Sequence, residues 1–101
     1  MAAFKVSAEE GNADCQYMVG IMYHDGDGVD VDYAQALPWI EKAAAQDQPT
    51  ALGQLGTMHG EGAGVTPSWR RAREYYERAI ELGNLKAVEN MQNLTGAIQR
   101  V

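Results

Sequence analysis

Sliding this chain against itself by 36 residues superposes much of it on itself, and that internal repeat is what most limits its possible folds. The shift places Gly20 on Gly56, Met22 on Met58, Gly26 on Gly62, Gly28 on Gly64 and Val29 on Val65. Further along it places Ala36 on Ala72, Glu41 on Glu77 and Ala43 on Ala79, with Tyr33 on Trp69 and Trp39 on Tyr75 as near matches. No gap is needed. Periods of about 20–50 residues mark solenoids and related arrays, in which each unit buries its apolar face against its neighbours.

Within a unit the apolar residues recur at helical spacing. Tyr33, Ala36, Leu37, Ile40, Ala43 and Ala44 follow i, i+3, i+4, i+7, and Trp69, Ala72, Tyr76, Ala79 and Ile80 repeat the stripe. The first half of each unit contributes Cys15, Val19 and Tyr23, matched by Ala51, Leu55 and His59. Asp32 and Ser68 stand where a second helix needs an N-cap, and Asn12 and Asn84 where a first helix does. Gly11 and Gly83 fit the left-handed stop of a preceding helix. The unit is therefore a helix–loop–helix.

The loops are Asp25-Gly26-Asp27-Gly28-Val29 and Glu61-Gly62-Ala63-Gly64-Val65, whose alternate glycines permit positive φ and whose valines can plug the hairpin. Gly20 and Gly56 lie inside helices, where glycine costs about 1 kcal/mol relative to alanine. Their recurrence predicts close approach of the paired helix at Ala36 and Ala43, or Ala72 and Ala79. Pro38 fits worst, one turn into a helix; a kink or a ragged first turn is expected there.

The run Val19-Gly20-x-x-Tyr23-x-x-Gly26-x-Gly28-Val29-x-x-Asp32-x-x-x-Ala36-x-x-Trp39-x-x-Lys42-Ala43-Ala44 resembles the Sel-one-like repeat (SLR), a relative of the tetratricopeptide repeat. The second unit resembles it too, with His59 for the tyrosine, Ser68 for the aspartate and Tyr75 for the tryptophan. The resemblance implies an all-α fold, a right-handed α-solenoid of helix–loop–helix repeats whose first helices line a concave surface. It also implies an adaptor or scaffold without a fixed catalytic set. The paired cysteines of the family's secreted members are absent, so the resemblance lends no support to a hydrolytic role.

The expected organisation is one repeat domain: a partial repeat helix over 1–10, units over 11–46 and 47–82, and a partial repeat with a C-terminal capping helix over 83–101. Phe4, Ser7 and Ala8 are in register with Ile40, Ala43 and Ala44. Asn84, Ala87 and Met91 match Asn12, Cys15 and Val19, but Gln92 then stands where the pattern has glycine. Leu94, Ala97, Ile98 and Val101 continue an apolar stripe. Five helices are expected. Starting in mid-repeat favours an excerpt of a longer array.

Composition limits the function classes. The net charge of −6 disfavours nucleic acid and anionic membrane as partners. No apolar run approaches the roughly 20 residues of a spanning helix. A single cysteine, Cys15, leans toward a reducing compartment, and so toward the cytoplasm.

Three constellations suggest chemistry and each has a plainer account. Asp25 to Asp30 has the look of a calcium loop, but Val29 and Asp30 occupy positions that need an oxygen ligand and a glycine. Cys15 with His24 or His59 could be a nucleophile and base. Cys15, however, sits at the position of Ala51 and Ala87, and the two histidines do not repeat in register. The stretch Trp69 to Arg78 mixes basic and aromatic residues, but the helix sorts them: aromatics inward, and Arg70–Glu74, Arg73–Glu77 and Glu74–Arg78 paired outside. No cofactor, no metal and no enzyme activity are expected.

The expected partner is a protein or peptide bound in the concave groove. The residues assigned to it are Asp14, Tyr17, Met18, Ile21, Asp25, Gln54 and Thr57, on the first helices and off the core stripe. Tyr17, Met18 and Ile21 form an apolar anchor flanked by acids that would select a basic partner. Two alternatives stay open: the three residues pack on the helix at the N-terminal end, or the chain is a structural unit that self-associates through its truncated ends.

Overall fold

The four helices of the two complete units each begin where a side chain takes up an orphan N–H group. Asn12 Oδ1 accepts from Cys15 N at 2.9 Å and starts α2, Ala13–Asp25, while Asp32 Oδ1 accepts from Gln35 N at 3.1 Å and starts α3, Tyr33–Ala45. Gln48 Oε1 accepts from Ala51 N at 2.7 Å ahead of α4, Pro49–Glu61, which opens on a proline whose missing N–H costs nothing there. Ser68 Oγ accepts from Arg71 N at 3.3 Å and starts α5, Trp69–Glu81. A helix over Ala2–Glu9, α1, precedes these and one over Lys86–Gln99, α6, follows.

The computed structural model describes the backbone of residues 2–99 and the side chains of residues 3–93. Met1, Val101 and the side chains of Leu94, Ala97 and Ile98, assigned above to the two ends, lie outside the described residues. Six helices are described rather than five, because each partial unit adds one helix to the two complete hairpins. The chain is an all-helical repeat solenoid of 42 × 28 × 18 Å, with α2 packed on α3, α4 on α5, and each hairpin on the helices before and after it.

Positive φ falls where the repeat predicts it: Gly11 at 102° and Gly83 at 94° behind helices, and Gly26, Gly28, Gly62 and Gly64 in the loops. The third position of the first series is not a glycine. Asp47, in register with Gly11 and Gly83, adopts φ 61°, and its carboxylate meets Arg78 at 3.1 Å.

One continuous core runs through the stack. Val19, Ala36, Ile40, Ala43, Ala51, Met58, Ala72, Ala79 and Ala87 are fully buried, and Leu55 and Tyr76 nearly so. Burying a side chain such as Ile40 or Leu55 contributes about 1.5–3 kcal/mol. Tyr33 departs from the expected stripe: it is exposed, and its ring tilts against His24 at 5.2 Å. The helix passes through Pro38 with a well-formed first turn, since the Asp32 cap and the Ala36 N to Asp32 O bond of 2.9 Å tie it down.

The close approach at the helix-interior glycines is present: beside Gly20 it involves the expected Ala36 but chiefly Ile40, and beside Gly56 it involves Tyr76 rather than an alanine. A Cβ on Gly20 would strike Ile40 Cγ1 and lie 3.2 Å from the Ala36 carbonyl. A Cβ on Gly56 would lie 2.7 Å from the ring of Tyr76. Ile40 and Tyr76 occupy the same place in successive units, and each fills the notch its glycine leaves.

Side-chain ties cross from unit to unit. Gln16 Nε2 donates to Ala8 O at 3.1 Å while its Oε1 accepts from Gln46 Nε2 at 2.8 Å, which satisfies a buried amide between α1, α2 and the end of α3. Gln48 Nε2 donates to Asp14 Oδ1 at 3.0 Å. Asn84, expected to cap α6, sends its Nδ2 back to Pro49 O at 2.9 Å, passing over Gly53, where a Cβ would lie 2.9 Å from that nitrogen.

Candidate functional site

First helices α2, α4 and α6 come together around a polar pocket of about 180 Å³. Tyr17 supplies one wall from α2; Thr50, Gly53 and Gln54 come from α4; Lys86 and Asn90 come from α6, with Asn84 just before it. Helix periodicity explains the grouping, since Thr50, Gly53 and Gln54 are i, i+3, i+4, and Lys86 and Asn90 are i, i+4. Tyr17 is half-buried, and burial, then the charge of Asp25, pushes its phenol above the usual range. The pocket therefore offers a neutral hydroxyl, amides and one cation.

The residues assigned from sequence divide. Tyr17 and Gln54 meet in the pocket. Ile21 is half-buried and packs on the core, as does the Tyr17 ring, whereas Met18 is exposed. Asp14 is exposed and tied to Gln48, and Asp25 is exposed and lies 2.7 Å from His24 Nδ1. Thr57 is committed to its neighbours: its Oγ1 lies 2.7 Å from the Tyr76 hydroxyl and 3.4 Å from Gly53 O. Asn84 is the pocket residue that sequence reasoning assigned elsewhere, because its cap position concealed its reach across to α4.

The remaining constellations also find their places. Cys15 is partly buried against the core, like the alanines in register with it but less deeply. Arg70–Glu74 and Arg73–Glu77 form at 4.0 and 3.4 Å, but Arg78 turns from Glu74 to Glu81 at 3.2 Å and to Asp47. The ammonium of Lys42 sits 4.5 Å from the Trp39 ring. Among the described residues, no three of His, Cys, Asp and Glu gather as a metal site, and no helix is long and apolar enough to cross a membrane.

The repeated helical hairpin is shared with known proteins. The Sel1 repeat family model matches residues 13–48 and 49–84. The chain belongs to the Sel1 repeat family. An uncharacterized protein of Neisseria meningitidis serogroup B is 39% identical over 88 residues, which cover 87% of this chain and 19% of that protein. An ERAD-associated E3 ubiquitin-protein ligase component of Arabidopsis thaliana is 29% identical over 75 residues, covering 74% of this chain and 12% of its own length. The chain thus spans less than a fifth of these curated relatives. The crystal structure of a Sel1 repeat protein from Oxalobacter formigenes superposes with a TM-score of 0.84 at 36% identity, covering 89% of this chain and 68% of that one. Sel1 repeats are generally non-catalytic protein-interaction modules.

Proposed function

We propose that this Sel1 repeat segment binds an extended stretch of a partner protein across α2, α4 and α6. The observation that carries the reading is the convergence of Tyr17, Thr50, Gln54, Lys86 and Asn90, from three successive first helices, on one pocket. Amides and hydroxyls spaced along a groove suit the backbone of an extended peptide, while the exposed Met18 beside Tyr17 and Ile21 supplies an apolar anchor. Asp14 and Asp25 stand on the same helix and favour basic groups next to that anchor. The Arabidopsis relative is by name a component of a larger ligase assembly, which supports a role in holding proteins together.

Affinity capture with mass spectrometry would name a partner, and purified components would then give its affinity. Combining Tyr17→Ala with Met18→Ala should weaken binding at least about tenfold, the loss of one anchor side chain. Gln54→Ala with Asn90→Ala, which spares the core packing of Tyr17, should weaken it as well. Unchanged affinity in both variants, with the fold intact, refutes the groove.

Self-assembly through the ends is the second reading, and exposed Phe4 and Val6 on α1 and Leu85 before α6 speak for it. An in-register hairpin between α6 and a neighbour's α1 would bring Gln92 to the glycine notch, where a side chain does not fit. The monomeric module is therefore favoured. Association in sedimentation velocity that depends on Phe4 and Leu85 would reverse that preference.

A further inference from the structure

The two units treat the start of their second helix differently. In the first, Asp32 keeps a carboxylate at the N-terminus of α3: Oδ1 accepts from Gln35 N at 3.1 Å and Oδ2 from Gln35 Nε2 at 2.9 Å. The Gln35 side chain, then its backbone N–H, holds that carboxyl below its ordinary pKa. In the second unit, Ser68 replaces Asp32 and Arg71 replaces Gln35. The resident carboxylate is gone, and the side chain that served it has become a guanidinium. Arg70, Arg73 and Arg78 each face an acid, whereas Arg71 has no ion pair among the described residues.

Arg71 and Ser68 line an open pocket of about 410 Å³ with Val65, Thr66, Pro67 and His59. His59 is only 6% exposed and its ring stacks on Tyr75 at 5.1 Å, but among the described residues neither Nδ1 nor Nε2 has a hydrogen-bond partner. Buried polar atoms are rarely left so. In the first unit the equivalent residue is Tyr23. A helix N-terminus and an unpaired guanidinium at one pocket favour negative charge, and the imidazole behind them leaves a ring N–H unspent.

We propose that this pocket binds a carboxylate supplied from outside the chain, held by the Arg71 guanidinium and the first turn of α5, with His59 completing its wall. Ser68 Oγ keeps the cap bond to Arg71 N, and the ligand takes the role that Asp32 Oδ2, bonded to the Gln35 side chain, has one unit earlier. This site is separate from the pocket between α2, α4 and α6 and does not rest on it. Burial, then the charge of Arg71 on α5, holds the His59 pKa below its ordinary value, against the opposing pull of Glu41 on α3. A bound carboxylate offsets Arg71 and raises the pKa.

The test is an NMR titration of the full chain with sodium acetate against sodium chloride at matched ionic strength, and with the peptide N-acetyl-Gly-Glu-Gly-amide. Acetate should give saturable shifts at the Trp69, Arg70 and Arg71 amides and an upward shift of the His59 pKa; chloride should give neither. Arg71→Gln should weaken the response about tenfold, as expected for losing a charge-assisted pair. Ser68→Asp, which keeps a good N-cap and installs the first unit's own carboxylate, should abolish the acetate response and raise the His59 pKa without ligand. A stronger response to the peptide identifies an acidic side chain of a partner as the source, and an equal one a free carboxylate. Indistinguishable acetate and chloride titrations, or a Ser68→Asp variant that responds like the parent, overturn the proposal.

Discussion

The ring of Tyr76 fills the space that a side chain on Gly56 would need, with Cδ1 and Cε1 each 2.7 Å from the position of a Cβ. Its hydroxyl then meets the next residue on α4, Thr57, at 2.7 Å. One side chain of α5 thus both fills the glycine notch and makes a polar bond to the adjacent residue of its partner helix.

Gly56→Ala tests the apolar half. Alanine improves helix propensity by about 1 kcal/mol, yet its methyl group must displace a nearly fully buried ring. Overpacking of this kind costs about 1–3 kcal/mol, so urea denaturation should show a net loss of stability. A midpoint at or above the parent's would mean that the α4–α5 hairpin relaxes freely.

Tyr76→Phe tests the polar half. The ring stays and the bond to Thr57 goes, which should cost about 1 kcal/mol. Burial pushes the phenol upward in pKa, so the hydroxyl is un-ionised and available for that bond at neutral pH. In a double-mutant cycle with Thr57→Val the two losses should not add, and full additivity would show that the bond contributes nothing.

Asp47 should discriminate between glycine and alanine. Its φ of 61° matches the left-handed positions held by Gly11 and Gly83, and a residue with a Cβ is strained there. Asp47→Ala loses both the local tolerance of aspartate and the exposed Arg78 pair, and should fall about 1 kcal/mol below the parent. Asp47→Gly should recover most of that loss. The expected thermal ordering places alanine last, and glycine below alanine would contradict the strain assignment.

His59 predicts acid sensitivity. Its pKa in the folded chain lies below that of the unfolded chain, chiefly through burial, so the unfolded state takes up the proton first. Its contribution to stability is complete above the unfolded value of about 6.5 and is lost as pH falls from there toward the folded value. Urea midpoints at neutral and mildly acidic pH should therefore separate in the parent. His59→Tyr, which restores the residue of the first unit, should reduce the difference, and an undiminished pH dependence would assign it to other groups.

Much of the fold was legible because a repeat shows each structural decision twice. The caps at Asn12, Asp32 and Ser68 and the loop glycines follow from residue chemistry acting over three or four positions. Legibility failed where a side chain acts on another helix. Asn84 looks like a cap and instead reaches Pro49; Thr57 looks like a groove residue and instead bonds Tyr76. Gln48 caps α4 although glutamine is an unusual N-cap, so its residue type does not mark the helix start. Arg78 chose Asp47 and Glu81 over Glu74, a choice made by the neighbouring loop rather than by helical spacing. Of the candidate site, Tyr17 and Gln54 could be read because they sit off the core stripe. Lone residues in a helix's first turn, such as Arg71, carry meaning only by comparison with their counterparts one unit away.

The side-chain ties between units span at most 35 residues along the chain. A lesion at Gln16 should therefore speed amide exchange in α1 and α2 long before it is felt at α6, and the molecule should yield to force one hairpin at a time, more like an unfastening zip than a collapsing arch.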